Sequence, residues 1–276
     1  MEYIRFEKTA RRLYCEPWLI LPRMHAVISD IFLQHVRNPT QAIGIALPEQ
    51  PDVQAEIIDG VAVIPVKGVI AKGISSMDRI SGATDVDEIG EMISVAVADE
   101  SVDAIVLDVD SPGGSVAGVP ELSDAVYAAT KSKPVIAHTA SLMASAAYWI
   151  SAKANAIYAT QSAEVGSIGV YLPILDESGA YAAAGYRMEV LKSAESPLKG
   201  AGIPGTSLTP EQRADLQAGV DYLYGMFAQA IKMRRKPASE AMRGQTLFGA
   251  QALSAGLVDS IGSLTDAIRD AKKLSA

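Results

Sequence analysis

From residue 56 onward, short runs rich in β-branched residues alternate with alanine-rich stretches of helical length, and this alternation limits the fold most strongly. The runs predict strands at 61–66, 104–109, 134–138, 156–159 and 187–191. The alanine-rich stretches predict helices at 84–99, 116–131, 143–153 and 176–185. Strands that alternate with helices predict an α/β fold of βαβ units with a mostly parallel sheet. Near-continuous apolar strands such as AIVLDV further indicate a sheet that is covered on both faces.

The sequence predicts two regions that meet near residue 55. Residues 1–55 are expected to form an N-terminal arm, because 16–36 carry apolar residues at helical spacing and PEQPD at 48–52 has the composition of a linker. Residues 56–276 are expected to form the main domain. Within it, Thr209 and Gln212 resemble a capping box that opens a long amphipathic helix.

Composition excludes several classes of function. Twenty-four Lys and Arg residues against 32 Asp and Glu give a net charge of −8, which argues against nucleic acid as the main partner. The single cysteine, Cys15, permits no internal disulfide, and with only three histidines it argues against a structural zinc site. No apolar run reaches the length of about 18 residues that a membrane span needs, and the first residues lack the order of a signal peptide. We therefore expect a soluble, cytoplasmic protein without structural zinc, and none of these observations calls for another metal or an organic cofactor.

The segment VLDVDSPGGSV, residues 106–116, ends a predicted strand in a turn that exposes its own backbone. In open α/β sheets ligands bind beyond the carboxyl ends of the strands, and two glycines allow a ligand to approach the backbone closely. On this segment alone, a tight turn in which the glycines are needed only for their dihedral angles is the favoured interpretation. A phosphate-binding loop fits less well, because no Gly-Lys-Ser/Thr follows.

A second segment, HTASLMASAAYWISAKA at residues 138–154, places Ser145 at the start of a predicted helix among small side chains. Most serines in such a position cap the helix or fill space. Here the small neighbours leave room for a substrate, and the N–H groups of Gly114 and Ala146 are candidates for an oxyanion hole. One such donor typically contributes about 3 kcal/mol. Together the two segments favour acyl transfer with Ser145 as the nucleophile.

A serine nucleophile needs a general base. No histidine follows His138, which ends a predicted strand seven residues before Ser145 and is expected to cap or pack. A lysine can serve where burial lowers its pKa from about 10.4 to near 7 or 8. The stretch VLKSAESPLKGAGIP, residues 190–204, offers Lys192 and Lys199 in a loop predicted to follow a strand. At least one of the two is expected to be an ordinary surface charge.

These motifs, in this order, resemble those of the signal peptide peptidase A (protease IV) family of serine peptidases, and in particular its short phage branch of capsid-assembly or head-maturation proteases. The similarity runs from about residue 55 to the C-terminus, and EPWLILP in the arm is also similar to the phage branch. The segments that carry the resemblance are VIPVKGVI, VLDVDSPGGSVAG, LMASAAYWISAKAN, EVGSIGV, the Lys199 loop and GQTLFGAQALSAGLVDSIGSLTDAI.

The resemblance implies a Clp-protease/crotonase-like spiral of βαβ units with a Ser/Lys dyad, and it implies rings of subunits, here a tetramer or larger homo-oligomer. The residues that it assigns are Ser145 as nucleophile, Lys199 as general base, Ser167 as the serine that holds the lysine, and Gly114 and Ala146 as oxyanion donors. The loop before Lys199 is slightly longer than usual, Ile203 stands where relatives often have Asn, and Ala146 stands where they often have Gly. Lys192 therefore stays open as an alternative base.

The expected function is that of a serine endopeptidase acting on peptides or proteins, with phage or prophage head or scaffold proteins as substrates in the host cytoplasm or the prohead. Three alternatives stay open. The first is a cytosolic peptidase that degrades signal peptides or proteins. The second is a crotonase-like enzyme acting on acyl-CoA, which would use a carboxylate as acid and base. The third is a non-catalytic scaffold.

Overall fold

The computed structural model describes residues 13–14, 16–37, 54–74 and 82–275, so the linker predicted at 48–52 lies outside the described residues. The chain forms two compact units. The smaller contains residues up to Pro17 together with Val170–Gly225, and the larger contains Trp18–Gly169 together with Met226–Ala276. The boundary predicted near residue 55 stays a prediction.

The strands of the described residues all belong to the larger unit. They are β1 (Trp18–Ile20), β2 (Glu56–Ile58), β3 (Val61–Ala71), β4 (Thr84–Asp85), β5 (Ala104–Ser115), β6 (Val135–Thr139), β7 (Leu142–Ala144), β8 (Ala156–Ala159), β9 (Glu164–Gly166), β10 (Thr246–Phe248) and β11 (Ser260–Ile261). The α-helices are α1 (Pro22–Arg37), α2 (Val86–Ala98), α3 (Val119–Ala129), α4 (Ala146–Ser151), α5 (Ser178–Ala183), α6 (Pro210–Lys232), α7 (Gly249–Ser254) and α8 (Leu264–Ser275). A 3₁₀ turn occupies Ser239–Met242.

The sheet branches at β5. β5 pairs in parallel with β3 along almost its whole length. Along its first half it also pairs in parallel with β6 on the other side, and β8 and β11 continue the sheet beyond β6. Near its end, β5 pairs in parallel with β7 through Ser111 and Met143, and β9 and β10 follow on that branch. The strand β1 runs antiparallel to the last residues of β5. The branch carries the end of β5 away from β6 and towards β7, the strand that leads to Ser145.

The α/β fold of βαβ units predicted from the sequence is confirmed. Four of the five predicted strands are present, and the predicted helices correspond to α2, α3, α4 and α5, each with shorter bounds. The strand predicted at 187–191 is wrong, because that segment is irregular and pairs with no described strand. Two of its apolar side chains are exposed, Met188 at 42% and Leu191 at 90%. A strand needs a hydrogen-bonded neighbour, which local sequence does not provide.

The capping box predicted before the long helix is confirmed. The Thr209 backbone N–H donates to Gln212 Oε1 at 3.1 Å, and the Gln212 backbone N–H donates to Thr209 Oγ1 at 3.2 Å. The helix α6 therefore begins at Pro210, whose missing N–H and fixed φ suit the first helical position. None of the helices in the described part of the chain combines the length and apolar character needed to cross a bilayer.

A buried arginine ties the C-terminal part of the larger unit to its central strands. The guanidinium of Arg235 is almost fully buried, forms an ion pair with Asp259, and donates to the Ala154 carbonyl at 2.9 Å. The same Asp259 carboxylate accepts the backbone N–H of Ile157 at 2.7 Å. Removal of the guanidinium would take a donor away from the buried Ala154 carbonyl and would leave the Asp259 carboxylate, whose side chain is 42% exposed, with the Ile157 N–H and solvent.

We predict that Arg235→Ala lowers the free energy of unfolding by about 2 kcal/mol, because a buried guanidinium loses its hydrogen bonds to a carboxylate and to a carbonyl. Urea denaturation followed by circular dichroism measures the change. The matched control is Arg269→Ala, which removes an exposed arginine paired with Asp266 and Asp270 and should cost less than about 1 kcal/mol. Equal losses in the two variants would contradict the structural role given to Arg235.

Candidate active site

Ser145 adopts a backbone conformation that is rare for residues other than glycine. It lies between β7 and α4 with φ 54° and ψ −114°, and it occupies the N-cap position of α4 without making a side-chain capping bond. Its Oγ is buried and has no hydrogen-bond partner among the described residues. The ordinary interpretation of this serine as a capping residue therefore does not hold. Strain of this kind costs roughly 1–3 kcal/mol and concentrates at functional sites.

Surrounding structure holds the Ser145 backbone in this conformation. Its N–H donates to the Gly166 carbonyl at 2.8 Å, and its carbonyl accepts the Trp149 N–H at 2.9 Å. Every residue of α4 is buried, and the Trp149 ring stacks on Phe227 with centroids 4.7 Å apart. The Tyr148 hydroxyl donates to the Leu257 carbonyl at 2.8 Å. The helix is thus fixed on several sides, which prevents the strained residue at its start from relaxing.

The glycine turn at the end of β5 lies directly beside the start of α4. Gly113 has φ 97°, and a Cβ placed on it would lie 3.0 Å from both the Ala144 carbonyl oxygen and the Ala146 nitrogen. Ser111 fixes the turn, because its Oγ donates to the Gly68 carbonyl at 2.6 Å and accepts the Gly113 N–H at 3.1 Å. The structure therefore brings the two predicted segments together.

The neighbouring strand leaves no room for a side chain at Gly114. A Cβ at this position would lie 1.7 Å from the carbonyl oxygen of Ile70 in β3. Glycine at both positions thus allows neighbouring backbones to pack closely. The backbone N–H of Gly114 is part of the same turn that lies beside Ala146. The two glycines could be identified from the sequence. The contribution of Ser111 could not, because its hydroxyl donates to the Gly68 carbonyl of β3, which is distant in sequence.

Ser167 lies one residue beyond the carbonyl that holds Ser145. It is buried, has φ 52°, and its N–H donates to the Gln245 carbonyl at 2.7 Å. The preceding Gly166 accepts the Ser145 N–H and pairs with Ala144 in the ladder of β7 and β9. The structure therefore places Ser167 in the same local framework as Ser145, with both residues in strained backbone conformations.

The two candidate lysines belong to the smaller unit, whereas the other predicted site residues belong to the larger one. Both lysines are exposed and lie in an irregular loop, so the expectation that this loop follows a strand is wrong. The Lys192 Nζ donates to the Pro197 carbonyl at 3.1 Å, which makes Lys192 part of the loop's own structure. The Lys199 backbone N–H donates to the Ser196 carbonyl at 3.2 Å.

Sequence reasoning missed a charged cluster across β3, β5 and β6. The Lys67 Nζ lies 2.5 Å from Asp108 Oδ2, and the Nδ1 of the buried His138 lies 3.5 Å from Asp108 Oδ1. Burial of Asp108 opposes its ionisation, but His138 and Lys67 outweigh that effect, so the pKa of Asp108 lies below its usual value. His138 packs inside the sheet, as expected. Only the parallel register, which aligns Asp108 with His138, reveals the cluster.

No group of three or more His, Cys, Asp or Glu side chains placed to hold a metal ion occurs among the described residues. The candidate site brings the Ser145 hydroxyl close to the backbone of the glycine turn and of Ala146. A hydroxyl and backbone N–H groups are among the components of a serine hydrolase site.

Comparison with protein families decides what kind of protein carries this site. Residues 128–276, more than half of the chain, match the model of peptidase family S49. The chain belongs to peptidase family S49. The match covers Ser145, Ser167 and both candidate lysines, and it confirms the family membership that the ordered motifs indicated.

Curated relatives of this S49 chain include phage and bacterial proteins. Head-tail preconnector protein GP5 of Enterobacteria phage P21 is 31% identical over 77% of the chain and 42% of its own length. Capsid assembly protease C of Escherichia phage lambda is 30% identical over 77% of the chain and 49% of its own length. Protease 4 of Salmonella typhi is 34% identical over 78% of the chain and 34% of its own length. The chain thus spans less than half the length of each of these relatives.

Among solved structures, a putative enoyl-CoA hydratase/isomerase from Acinetobacter baumannii is 14% identical, covers 82% of this S49 chain and 82% of its own, and has a TM-score of 0.44.

The strain at Ser145 leads to a stability prediction. Ser145→Gly should raise the free energy of unfolding by about 1 kcal/mol, because glycine adopts this backbone conformation without the steric penalty. The matched control is Ser151→Gly at the other end of α4, where Oγ donates to the Ala147 carbonyl and the loss should be about 1 kcal/mol. Urea denaturation measures both changes. An equal decrease in the free energy of unfolding in both variants would show that the Ser145 backbone stores no strain.

Proposed function

We propose that this protein is a serine endopeptidase that hydrolyses peptide bonds with a Ser/Lys dyad formed by Ser145 and Lys199. The observation that carries the proposal is the buried Oγ of Ser145, which has no hydrogen-bond partner within the part of the chain that the structure describes and lies on a strained backbone beside the glycine turn. A hydroxyl held in this way makes no contribution to capping or to a hydrogen-bond network. Its burial without a partner has a cost, which a catalytic role explains.

In the proposed reaction, neutral Lys199 accepts the proton of the Ser145 hydroxyl as Oγ attacks the carbonyl carbon of the scissile peptide bond. The backbone N–H groups of Gly114 and Ala146 donate to the oxyanion of the tetrahedral intermediate. The lysine ammonium then protonates the leaving amine, and the C–N bond breaks. A water molecule, deprotonated by the same lysine, hydrolyses the ester on Ser145 and restores both residues.

Family resemblance and local structure support Lys199 over Lys192 as the base. The motif that follows Lys199 continues into the capping box of Thr209 and Gln212, which supports the alignment of this part of the chain with the family. The Lys192 amine is engaged by the Pro197 carbonyl. Ser167 is proposed to orient the lysine amine. Lys192 remains the alternative base.

The structure also bears on the alternative of a crotonase-like acyl-CoA enzyme, which needs a carboxylate as its acid and base. The carboxylates nearest in sequence to the glycine turn are Asp108 and Asp110. Asp108 is paired with Lys67, and Asp110 accepts the Ser141 hydroxyl at 2.6 Å. A carboxylate whose pKa is lowered by a neighbouring cation is a poor proton donor near neutral pH. The peptidase proposal is therefore favoured.

The proposed substrates are phage or prophage head or scaffold proteins, because two of the relatives are named as a head-tail preconnector protein and a capsid assembly protease. This setting implies action in the bacterial cytoplasm or the prohead. We further propose that the protein forms a homo-oligomer, a tetramer or larger. Degradation of proteins or signal peptides in the cytosol is the second candidate, supported by the similarity to Protease 4.

The nucleophile is tested by Ser145→Ala. This variant should lose peptide hydrolysis and all labelling by a fluorophosphonate probe, because no hydroxyl remains to attack. The control is Ser151→Ala, which removes another buried serine hydroxyl from the same helix and should keep both activities. Hydrolysis of fluorogenic peptides and mass spectrometry of the labelled protein provide the measurements. Retained hydrolysis in Ser145→Ala would remove Ser145 from the mechanism.

The general base is tested by a pair of substitutions in one loop. Lys199→Met should abolish turnover, whereas Lys192→Met should keep it within about tenfold, a barrier change of about 1.4 kcal/mol. Ser167→Ala should give an intermediate rate, since it loosens the lysine without removing it. An inactive Lys192→Met together with an active Lys199→Met would move the role of base to Lys192.

A further inference from the structure

The strand β1 of the N-terminal arm pairs with the same stretch of backbone that forms the proposed oxyanion turn. Trp18, Leu19 and Ile20 align antiparallel with Ser115, Gly114 and Gly113 in that order. All three arm residues are buried. An antiparallel strand at the edge of an active-site turn is the usual way for a peptidase or a peptide-binding domain to hold an extended peptide.

The hydrogen-bond pattern of this ladder assigns a partner to the Gly114 N–H. The Leu21 N–H donates to the Pro112 carbonyl at 3.0 Å, which makes that pair a hydrogen-bonded one. Hydrogen-bonded and non-bonded pairs alternate in an antiparallel ladder, so the next hydrogen-bonded pair joins Leu19 and Gly114. The Gly114 N–H therefore points at the Leu19 carbonyl.

A second geometric observation places the same carbonyl beside the other proposed donor. A Cβ built on Gly113 would meet the Leu19 carbonyl oxygen at 2.0 Å and the Ala146 nitrogen at 3.0 Å. The Leu19 oxygen and the Ala146 nitrogen thus both lie within 3.0 Å of one point next to the glycine turn. The arm presents a peptide carbonyl where the proposed mechanism requires the carbonyl of the substrate.

We infer that Trp18–Ile20 acts as a built-in competitor which occupies the substrate strand position, with Leu19 in the place of the residue whose carbonyl is attacked. This inference rests on the proposed function of Gly114 and Ser145. A peptide can be cleaved only after the arm strand has left the end of β5. Because the arm is part of the same chain, its local concentration is high, and a short strand suffices to compete with substrate.

An ion pair just beyond β1 holds the arm in place. Arg23, at the start of α1, makes two hydrogen bonds to the Glu164 carboxylate at 2.9 and 3.0 Å. Glu164 begins β9 and also accepts the Thr246 hydroxyl at 2.8 Å. Arg23 is 58% exposed and Glu164 27% exposed, so the contact is at the surface, where such pairs are weak enough to open.

The inference is tested with a reversible lock. Trp18 and Ser115 form a non-hydrogen-bonded pair in the ladder, where Cα atoms lie about 4.5 Å apart and a disulfide fits. The variant combines Trp18→Cys and Ser115→Cys with Cys15→Ser, so that only the new pair can form a disulfide within the chain. The oxidised protein should react with a fluorophosphonate probe at Ser145 at least tenfold more slowly than the same protein reduced with dithiothreitol.

Two results would overturn the inference. One is equal labelling of the oxidised and reduced forms, and the other is failure of the two cysteines to join upon oxidation. Absence of labelling in the wild-type protein and in every variant would instead refute the proposed function. If the wild-type protein reacts with the probe but the reduced double-cysteine variant does not, the Arg23→Gln variant described next tests the inference instead.

The release variant is Arg23→Gln, which opens the ion pair at the surface without touching the buried arm strand. It should be labelled at Ser145 about threefold faster than wild-type, since the competitor is held less tightly. The matched control is Arg269→Gln, which removes an arginine of similar exposure, 54%, from an ion pair on α8. Labelling of Arg23→Gln no faster than that of Arg269→Gln would contradict the role of the arm as a competitor.

Discussion

The close approach of backbones at Gly113 and Gly114 is the constraint on which the rest of this structure depends. At these two positions β5 is confined between the Ile70 carbonyl of β3 and the Ala144–Ala146 segment, with no space for a Cβ. The approach is possible only because the sheet branches at β5 and because the Ser111 hydroxyl joins Gly68 to the turn. The distance between the turn and Ser145 is thus set by covalent geometry and packing, and it does not depend on flexible side chains.

Much of the framework could be predicted from local sequence, since β-branched runs and alanine-rich stretches determine strands and helices directly. The capping box at Thr209 is an example, because its two bonds join residues three positions apart. The same reasoning gave a wrong strand at 187–191, where an apolar run pairs with no described strand. Local composition cannot show whether a partner strand exists, and among the described residues no strand pairs with this segment.

The candidate site was predictable in its parts but not in its arrangement. The glycines and Ser145 were singled out by the small residues around them, and the family match includes Ser145. The pairing of Trp18–Ile20 with Gly113–Ser115 and the alignment of Asp108 with His138 were not predictable. Both depend on strand register between residues far apart in sequence, and register is a property of the assembled sheet.

The backbone angles of Ser145 have a consequence for how this chain can change over evolutionary time. While hydrolysis is under selection, the catalytic benefit of the hydroxyl outweighs the free-energy cost of the backbone strain, and the position stays serine. Once selection for hydrolysis is relaxed, the strain alone decides which residue is favoured there. The φ of 54° and ψ of −114° admit glycine at little cost and penalise alanine as much as serine. Descendants that keep the fold as a scaffold should therefore drift towards glycine at this position, which would distinguish a lost enzyme from an active one by a single residue.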